Sequence, residues 1–599
     1  MAFAANNNKT TNTMPTAPQE NMSVVTETPV LSQNVVVIHP GSQNLRIGRA
    51  VDSNPVTIHH AIARRRLRHD RHDFVHEDKL LPPFYEDTNL LAELDESRLQ
   101  VSHTLQSCLQ SDGSRRYATP PQQISAFNRR SQPELLHQNK SEMLAESADV
   151  IIGDDVLKIH PDANYNIHYP IRRGLLNLHP GVGGSLTAVL HDLEAIWSYA
   201  IERKLRIQRK HLAVYKAVLV IPDIYNRKHI SALVNLLLTR LNFGSCFLVQ
   251  DHVAATFGAG LGSACVIDVG DQKTSISCVD DGMSQPSTRI RLDYGGGDVT
   301  VVYFWLLQKC SFPHKGCNPT RRNDAILLQK LKEDFCHVDL DICGPSEKSF
   351  NVTSTDGVVK KITLQVGDEC LIAPLSLFTT DLLAITGTKS VHGQVPYEFQ
   401  PDDPHDANYL RETSRKGAKE TLDTPGGDGQ ANLSGLGNIP LPLDISSVME
   451  EDIVVDALDP NFHANSLLTA AGNILQEKEI FESDILLSID QAIMQSIERC
   501  PEELKKKMYS SILVVGGGMK FVGINTWLQN KISLQIPFMY RSDQMEVVTS
   551  VKDTDPQIIT WKGASLMATL ESASELWINS QDWIDNGVKV LREKAAFIW

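Results

Sequence analysis

The residues best placed to do chemistry are Asp268, Val269, Gly270 and Asp271, set in the stretch Ala264-Cys265-Val266-Ile267-Asp268-Val269-Gly270-Asp271-Gln272-Lys273-Thr274-Ser275-Ile276-Ser277-Cys278-Val279. An apolar run ends at Asp268, small and acidic residues follow, and a second run alternates at period two. That pattern predicts strand, tight turn and strand. Gly270 lets backbone N–H groups approach an anion closely. A carboxylate just before such a turn, here Asp268, can hold a hydrated Mg²⁺ against nucleotide phosphates. The same window also fits a plain β-hairpin with an Asx turn, so the rest of the chain has to decide.

A second unit of the same build lies upstream. Val35-Val36-Val37-Ile38 reads as a strand buried on both faces, His39-Pro40-Gly41-Ser42-Gln43-Asn44 as a turn, and Leu45-Arg46-Ile47-Gly48-Arg49-Ala50 as the return strand. Two such hairpins suggest a duplicated phosphate-cradling domain. Two triple-glycine stretches add backbone-approach sites. Gly295-Gly296-Gly297 opens a helix and leaves its amide donors free for an anion, and Gly516-Gly517-Gly518 follows the apolar run Ile512-Leu513-Val514-Val515. A helix over residues 322–335 displays Lys332 and Glu333. Cys310, His314 and Cys317 have the residue types of zinc ligands, but no matching second pair follows, and metal binding there is the minor reading.

The elements that must position these residues alternate. Strands over 217–222 and 247–251 are interleaved with helices over 187–202, 227–241 and 252–260, which indicates α/β layering. A long helix is expected over 478–499, and the C-terminal stretch 556–599 reads as helical.

The chain has 599 residues, too many for one compact core. Its 42% hydrophobic and 22% charged residues are ordinary for a globular protein, and a net charge of −15 argues against a basic surface over the whole molecule. No apolar run is long enough to span a membrane, and the polar start lacks a secretory h-region, so an intracellular protein without a membrane partner is expected. Ten scattered cysteines form no disulfide framework.

Residues 1–32 read as a disordered tail. From about 61 to 151 the pattern loosens into a basic, loop-rich insertion, with Arg64, Arg65, Arg66, Arg68 and Arg71 set against one aspartate, Asp70. Such a cluster suits nuclear import, phosphate-backbone contacts or a solvated helix face. From about 388 to 476 lies an acidic, unstructured insertion, where residues 400–460 hold 13 Asp/Glu against 4 Lys/Arg. It suits basic partners such as histones, or serves as a solubilising loop.

Taken in order, these pieces resemble the actin family. Ile38 to Gln43 matches its first hairpin (apolar strand, Asp-x-Gly-Ser-Gly) and Asp268 to Gln272 its second (Asp-Ser-Gly-Asp-Gly). Arg291 to Asp298 matches Arg-Leu-Asp-x-x-Gly-x-Asp, placing the glycine at Gly296. Leu331-Lys332-Glu333 matches the Ile-Lys-Glu helix and Gly516-Gly517 the adenosine glycines, while Trp561 to Ser565 and Leu576 to Gln581 look like the closing helices. The resemblance implies an actin-like fold of two duplicated ribonuclease-H-like halves around a nucleotide cleft. A first half over 33–258 and a second over 259–545 would precede helices over 546–599 that return to the first. It implies an ATP site at Gly41, Ser42, Gln43, Asp268, Val269, Gly270, Asp271, Gly296, Lys332, Glu333 and Gly516 to Gly518, with Asp268 reaching a metal through water.

The departures from the family bear on function. The first-hairpin carboxylate is His39, and a neutral imidazole cannot replace that anion near Mg²⁺. The last glycines of the two turns are Gln43 and Gln272. The glutamine that orients the attacking water in actins falls at Asp251, or at Gln250 if the register slips, and an adenine-side lysine at Gln557. Hydrolysis needs metal, water-positioner and loops together, so little or no turnover is expected and Mg²⁺ is doubtful.

The two insertions and the ending Gly587 to Trp599 resemble a nuclear actin-related paralogue of the INO-class ATP-dependent chromatin-remodelling complex. That resemblance implies a scaffold working with a motor ATPase subunit, nuclear actin, another actin-related protein, DNA and histones, in transcription and DNA repair. An active actin- or chaperone-type ATPase and a cytoskeletal filament protein are the alternatives.

Overall fold

The apolar runs become the centres of two sheets. The computed structural model describes residues 32–66, 75–138, 148–354, 357–394, 480–483, 486–541, 545–549, 551, 554–597 and 599. The expected N-terminal tail, apart from residue 32, and residues 395–476 of the acidic insertion lie outside the described residues, as do Arg68 and Arg71.

In the first sheet, Val56–His59, Asn44–Arg49 and Val35–Pro40 form an antiparallel meander, and Lys216–Ile221 and Ser245–Gln250 continue it in parallel. In the second, Ile290–Leu292, Thr274–Asp280 and Ser263–Val269 repeat the meander, and Ser511–Val515 and Glu546–Val548 repeat the parallel pair. The same order in both sheets is the duplication the two hairpins suggested, and the actin-like α/β fold is borne out.

Strict alternation along the central strands explains why they are apolar throughout. Val35, Val37, Ala264 and Val266 face a core shared by the two sheets, while Val36, Ile38, Cys265 and Ile267 face the outer layers. Two helices, Asp251–Ala259 and Ile559–Met567, cross inside the shared core with their backbones in contact. A Cβ on Gly258 would lie 2.1 Å from the Ile559 carbonyl oxygen, and one on Gly563 1.7 Å from that of Ala254, so only glycine allows the crossing. Trp561 Nε1 donates to the Val37 carbonyl at 3.1 Å, tying this pair to the first hairpin.

The stretch expected to be loop-rich holds the largest departure from the sequence reading. Ile62–Arg65 is a strand paired with Val150–Ile152 and Tyr165–His168, and the chain then carries the helices Thr88–Ser107 and Pro121–Arg130. These helices dock on the second half rather than the first. Asn128 donates to the carbonyls of Cys310 and Gln365 at 2.9 and 3.0 Å, and Arg116 meets Asp368 at 2.7 Å in a buried ion pair. Glu134–Gln138 joins the hairpin of Ser346–Thr353 and Val358–Val366 by pairing with its second strand. The segment therefore straps one half to the other. The helix Thr88–Ser107 escapes a reading by periodicity because its buried residues are only Leu94, Val101 and Leu105.

Two further boundaries differ. Val391–Gln394, placed in the acidic insertion, is a strand held by Ile290–Leu292 on one side and Ile480–Ser483 on the other. It is too short and polar to read as a strand without those neighbours. The expected helix over 478–499 is the strand Ile480–Ser483 and a helix Ile489–Glu498, which Ser488 and Gln491 start with a capping box.

Candidate functional site

Both hairpin turns open into one cleft between the halves. In the first turn, the Gly41 N–H donates to the Asn44 carbonyl at 2.9 Å, and in the second the Gly270 N–H donates to that of Lys273 at 2.8 Å. The loop after Ser511–Val515 is pressed onto the second turn. A Cβ on Gly516 would lie 2.3 Å from the Val269 oxygen, and one on Gly518 2.3 Å from that of Gly270; Gly516 also holds φ at 88°. Gly41, Ser42, Gln43, Asp268, Gly270, Asp271, Gly296, Lys332, Glu333 and Gly516 to Gly518 all line this cleft, and Val269 forms the floor under Gly518.

One expectation is corrected. The Gly295 to Gly297 amides are not free for an anion. Gly296 and Gly297 donate to the carbonyls of Gly270 and Asp271 at 2.9 and 2.8 Å, and the Asp298 carboxylate caps the Gly295 N–H at 3.0 Å. The glycines are needed because a Cβ on Gly295 would lie 2.6 Å from the Gly270 oxygen. Their amides brace the second hairpin, and Gly296 still lines the cleft.

At one end of the cleft, Lys332 Nζ donates to the Gly296 carbonyl at 2.9 Å, and burial lowers its pKa. Burial raises Asp271 to about 6, and its Oδ2 is buried without a hydrogen-bond partner among the described residues. An orphaned carboxylate oxygen beside a lysine and above glycine loops suits a sugar hydroxyl, so these residues fit a nucleoside. Gln43 does not obstruct the first turn, because its side chain crosses the cleft. It donates to Gln329 Oε1 at 2.8 Å and accepts from Gln329 Nε2 at 3.2 Å. Gln329 lies on the same helix as Lys332 and Glu333, Arg322–Phe335.

The other end carries the charge. His39 pairs with Arg46 across the first hairpin. Burial, then the Arg46 charge, lowers the His39 pKa to about 3, so its imidazole is neutral. Gln250 points away and donates to the Asp223 carbonyl at 3.4 Å, whereas Asp251 faces the cleft. Of the two candidates, Asp251 is therefore the one presented to the cleft. Lys273 Nζ donates to Asp251 Oδ2 at 3.0 Å and to Ser275 Oγ at 3.1 Å, and lies 3.6 Å from Asp268 Oδ2. Burial favours loss of the Lys273 proton, but Asp251 and Asp268 outweigh it and raise the pKa, so the ammonium persists. These residues do not fit a hydrated Mg²⁺. One of the expected acids is a neutral histidine, and the remaining carboxylates already face an internal cation.

Arg46 and Lys273 are the charged cleft residues that sequence reasoning missed. Arg46 alternates with the core residues Leu45 and Ile47, which sends it to the cleft, where Nη2 donates to Gln557 Oε1 at 2.8 Å. A lysine at the end of a glycine turn was a visible signal for Lys273, but its partner Asp251 comes from the other half.

The basic stretch is ordered where it is described. Arg64 donates through Nε to Asp192 Oδ1 at 2.7 Å, Arg65 is exposed 3.8 Å from Asp149, and the Arg66 N–H donates to the Asn164 carbonyl at 2.9 Å while its carbonyl accepts from Asn164 Nδ2 at 3.0 Å. The charge of Arg64 is therefore engaged within the fold. His314 and Cys317 gather with Asp324 rather than with Cys310, which is buried elsewhere.

Comparison with known proteins agrees with this geometry. The family model described as "Actin" matches residues 30–596. "Actin-related protein 8" of Aedes aegypti is 52% identical over 587 residues, covering 96% of this chain and 100% of the relative. The Bos taurus protein of the same name is 40% identical, covering 95% of this chain and 93% of its own length. Among solved structures, "Human actin-related protein Arp8 in its ATP-bound state" is similar with a TM-score of 0.76 and 34% identity, covering 97% of this chain and 100% of that one.

Proposed function

The chain belongs to the actin family, among its actin-related protein 8 members, and on that premise we propose that it is a non-catalytic scaffold that holds ATP as a structural ligand. Asp271, Lys332 and Glu333 would hold the sugar, Gly516 to Gly518 would floor the base, and the turns at Gly41 to Gln43 and Gly270 to Lys273 would receive the phosphates. The observation that carries the reading is the altered charge at the hydrolytic end, His39 neutral and Asp251 tied to Lys273. Phosphoryl transfer to water depends on positioning and electrostatic stabilisation. A carboxylate committed to an ammonium positions no water, and an uncharged ring holds no metal shell.

The scaffold is proposed to serve in the nucleus, as a subunit of an INO-class chromatin-remodelling complex with roles in transcription and DNA repair. Its partners there would be the motor ATPase subunit, nuclear actin, another actin-related protein, DNA and histones. Support comes from near full-length similarity to the actin-related protein 8 relatives, together with a cross-cleft segment and an acidic insertion that a filament subunit would have to accommodate at its contact surfaces. Native co-purification from nuclear extract, with partners identified by mass, tests it. Recovery with actin and a large helicase-type ATPase is expected. Recovery alone, or as filaments, would overturn the proposal.

A further inference from the structure

The first hairpin lacks its acid, and the second brings a cation of its own. Lys273 closes the Gly270 turn, and its ammonium has three protons to donate. Asp251 Oδ2 at 3.0 Å and Ser275 Oγ at 3.1 Å take two of them. Asp268 Oδ2, at 3.6 Å, is beyond hydrogen-bond range, so one N–H remains for an incoming acceptor. The two carboxylates come from opposite walls, Asp251 from the helix Asp251–Ala259 and Asp268 from the second hairpin.

Arg46 lines the same cleft, one nitrogen held by Gln557 Oε1 at 2.8 Å, and acts electrostatically on both His39 and Asp268. Two carboxylates, one ammonium and one guanidinium thus face one another here beside a neutral imidazole. A hydrated Mg²⁺ here would share its carboxylates with a cation held in place by the chain, and like charges at that separation repel. A triphosphate brought in without metal would instead meet a spare ammonium proton and a guanidinium, both strong partners for phosphate oxygens.

We propose that Lys273, with Arg46, takes the place of the divalent cation, so that this cleft binds a nucleoside triphosphate as the metal-free polyanion. The proposal rests on the nucleotide-holding reading above and specifies the ionic form of the ligand.

The test is ATP affinity of the full-length protein, stripped of nucleotide, measured by calorimetry in EDTA and in excess Mg²⁺. Binding in EDTA at least as tight as in Mg²⁺ is expected. In Lys273→Met, with the fold checked by circular dichroism, affinity in EDTA should fall about tenfold or more, Mg²⁺ should restore part of it, and Lys273→Arg should retain most of it. Weakening of wild-type binding by about tenfold or more in EDTA would overturn the proposal while leaving nucleotide binding intact. So would unchanged affinity of Lys273→Met in EDTA. A folded wild-type protein that binds ATP under neither condition would overturn the nucleotide-holding reading and this proposal with it.

Discussion

The two hairpins occupy equivalent places in duplicated sheets, yet their turns have diverged in opposite ways. The first has lost its acid to His39 and spends Gln43 on a bond across the cleft to Gln329. The second keeps Asp268 and Gly270 and adds the Lys273 ammonium. What stays constant is backbone: glycine loops packed so closely that a Cβ would collide. What varies is the charge that faces the cleft. Packing constrains the cradle, while side chains at its open surface can change without disturbing the fold.

Acid should separate the two sides most strongly. His39 is lowered to about 3 and His59 and His60 to about 4, chiefly by burial, and His60 Nδ1 lies 2.8 Å from the Gly41 carbonyl of the first turn. Their folded pKa values lie below the unfolded value, so the unfolded chain takes up protons first, and stability falls as pH drops from about 6.5 toward 4. Between pH 7 and 5 each should cost about 2 kcal/mol. Near the second hairpin the sign reverses. Asp271 is raised to about 6, and farther into the same half Glu369, beside Gly367 and Cys310, to about 7, again by burial, so the native state takes up the proton first and stability rises as pH falls through that window. Denaturant unfolding at the two pH values should show His39→Gln shrinking the loss by about 2 kcal/mol and Asp271→Asn enlarging it by about 1 kcal/mol. The same pH dependence in both variants would erase the contrast.

The next effect is steric. Gly516→Ala places a methyl 2.3 Å from the Val269 oxygen at a φ of 88°, and should cost about 3 kcal/mol in chemical denaturation. At Gly270 a Cβ would meet the Lys273 oxygen at 3.3 Å, and alanine there should cost under about 1 kcal/mol. Equal losses would mean that the glycine loop is not the rigid part of the cradle. The smallest effect belongs to the cross-cleft amide pair. Gln43→Gly removes both bonds to Gln329 and should cost about 1 kcal/mol. Stopped-flow release of a fluorescent nucleotide should become several-fold faster, and an unchanged rate would mean that the pair does not help close the cleft.

The central strands were readable because both faces are buried, which leaves runs such as Val35 to Ile38 without polar breaks. The glycine loops were readable as close-approach sites, although the purpose of Gly295 to Gly297 was not. Whether an amide serves a ligand or a neighbouring carbonyl depends on which strand arrives opposite, and here Gly270 and Asp271 arrive. The strap was hidden for a similar reason. Thr88–Ser107 and Pro121–Arg130 bury few apolar residues and rely on Asn128 and Arg116 meeting carbonyls and an acid more than 180 residues away in sequence. Lys273 belongs with them, since its role appears only when Asp251 closes on it from the other half.

If the cradle persists without the hydrolytic charges, bound ATP should stay intact. Single-turnover hydrolysis reads this out, following release of labelled phosphate from ATP bound to the purified full-length chain in Mg²⁺. Release indistinguishable from the protein-free control is expected. Stoichiometric release that Asp268→Ala abolishes would contradict it and return the cleft to the active ATPases of the family.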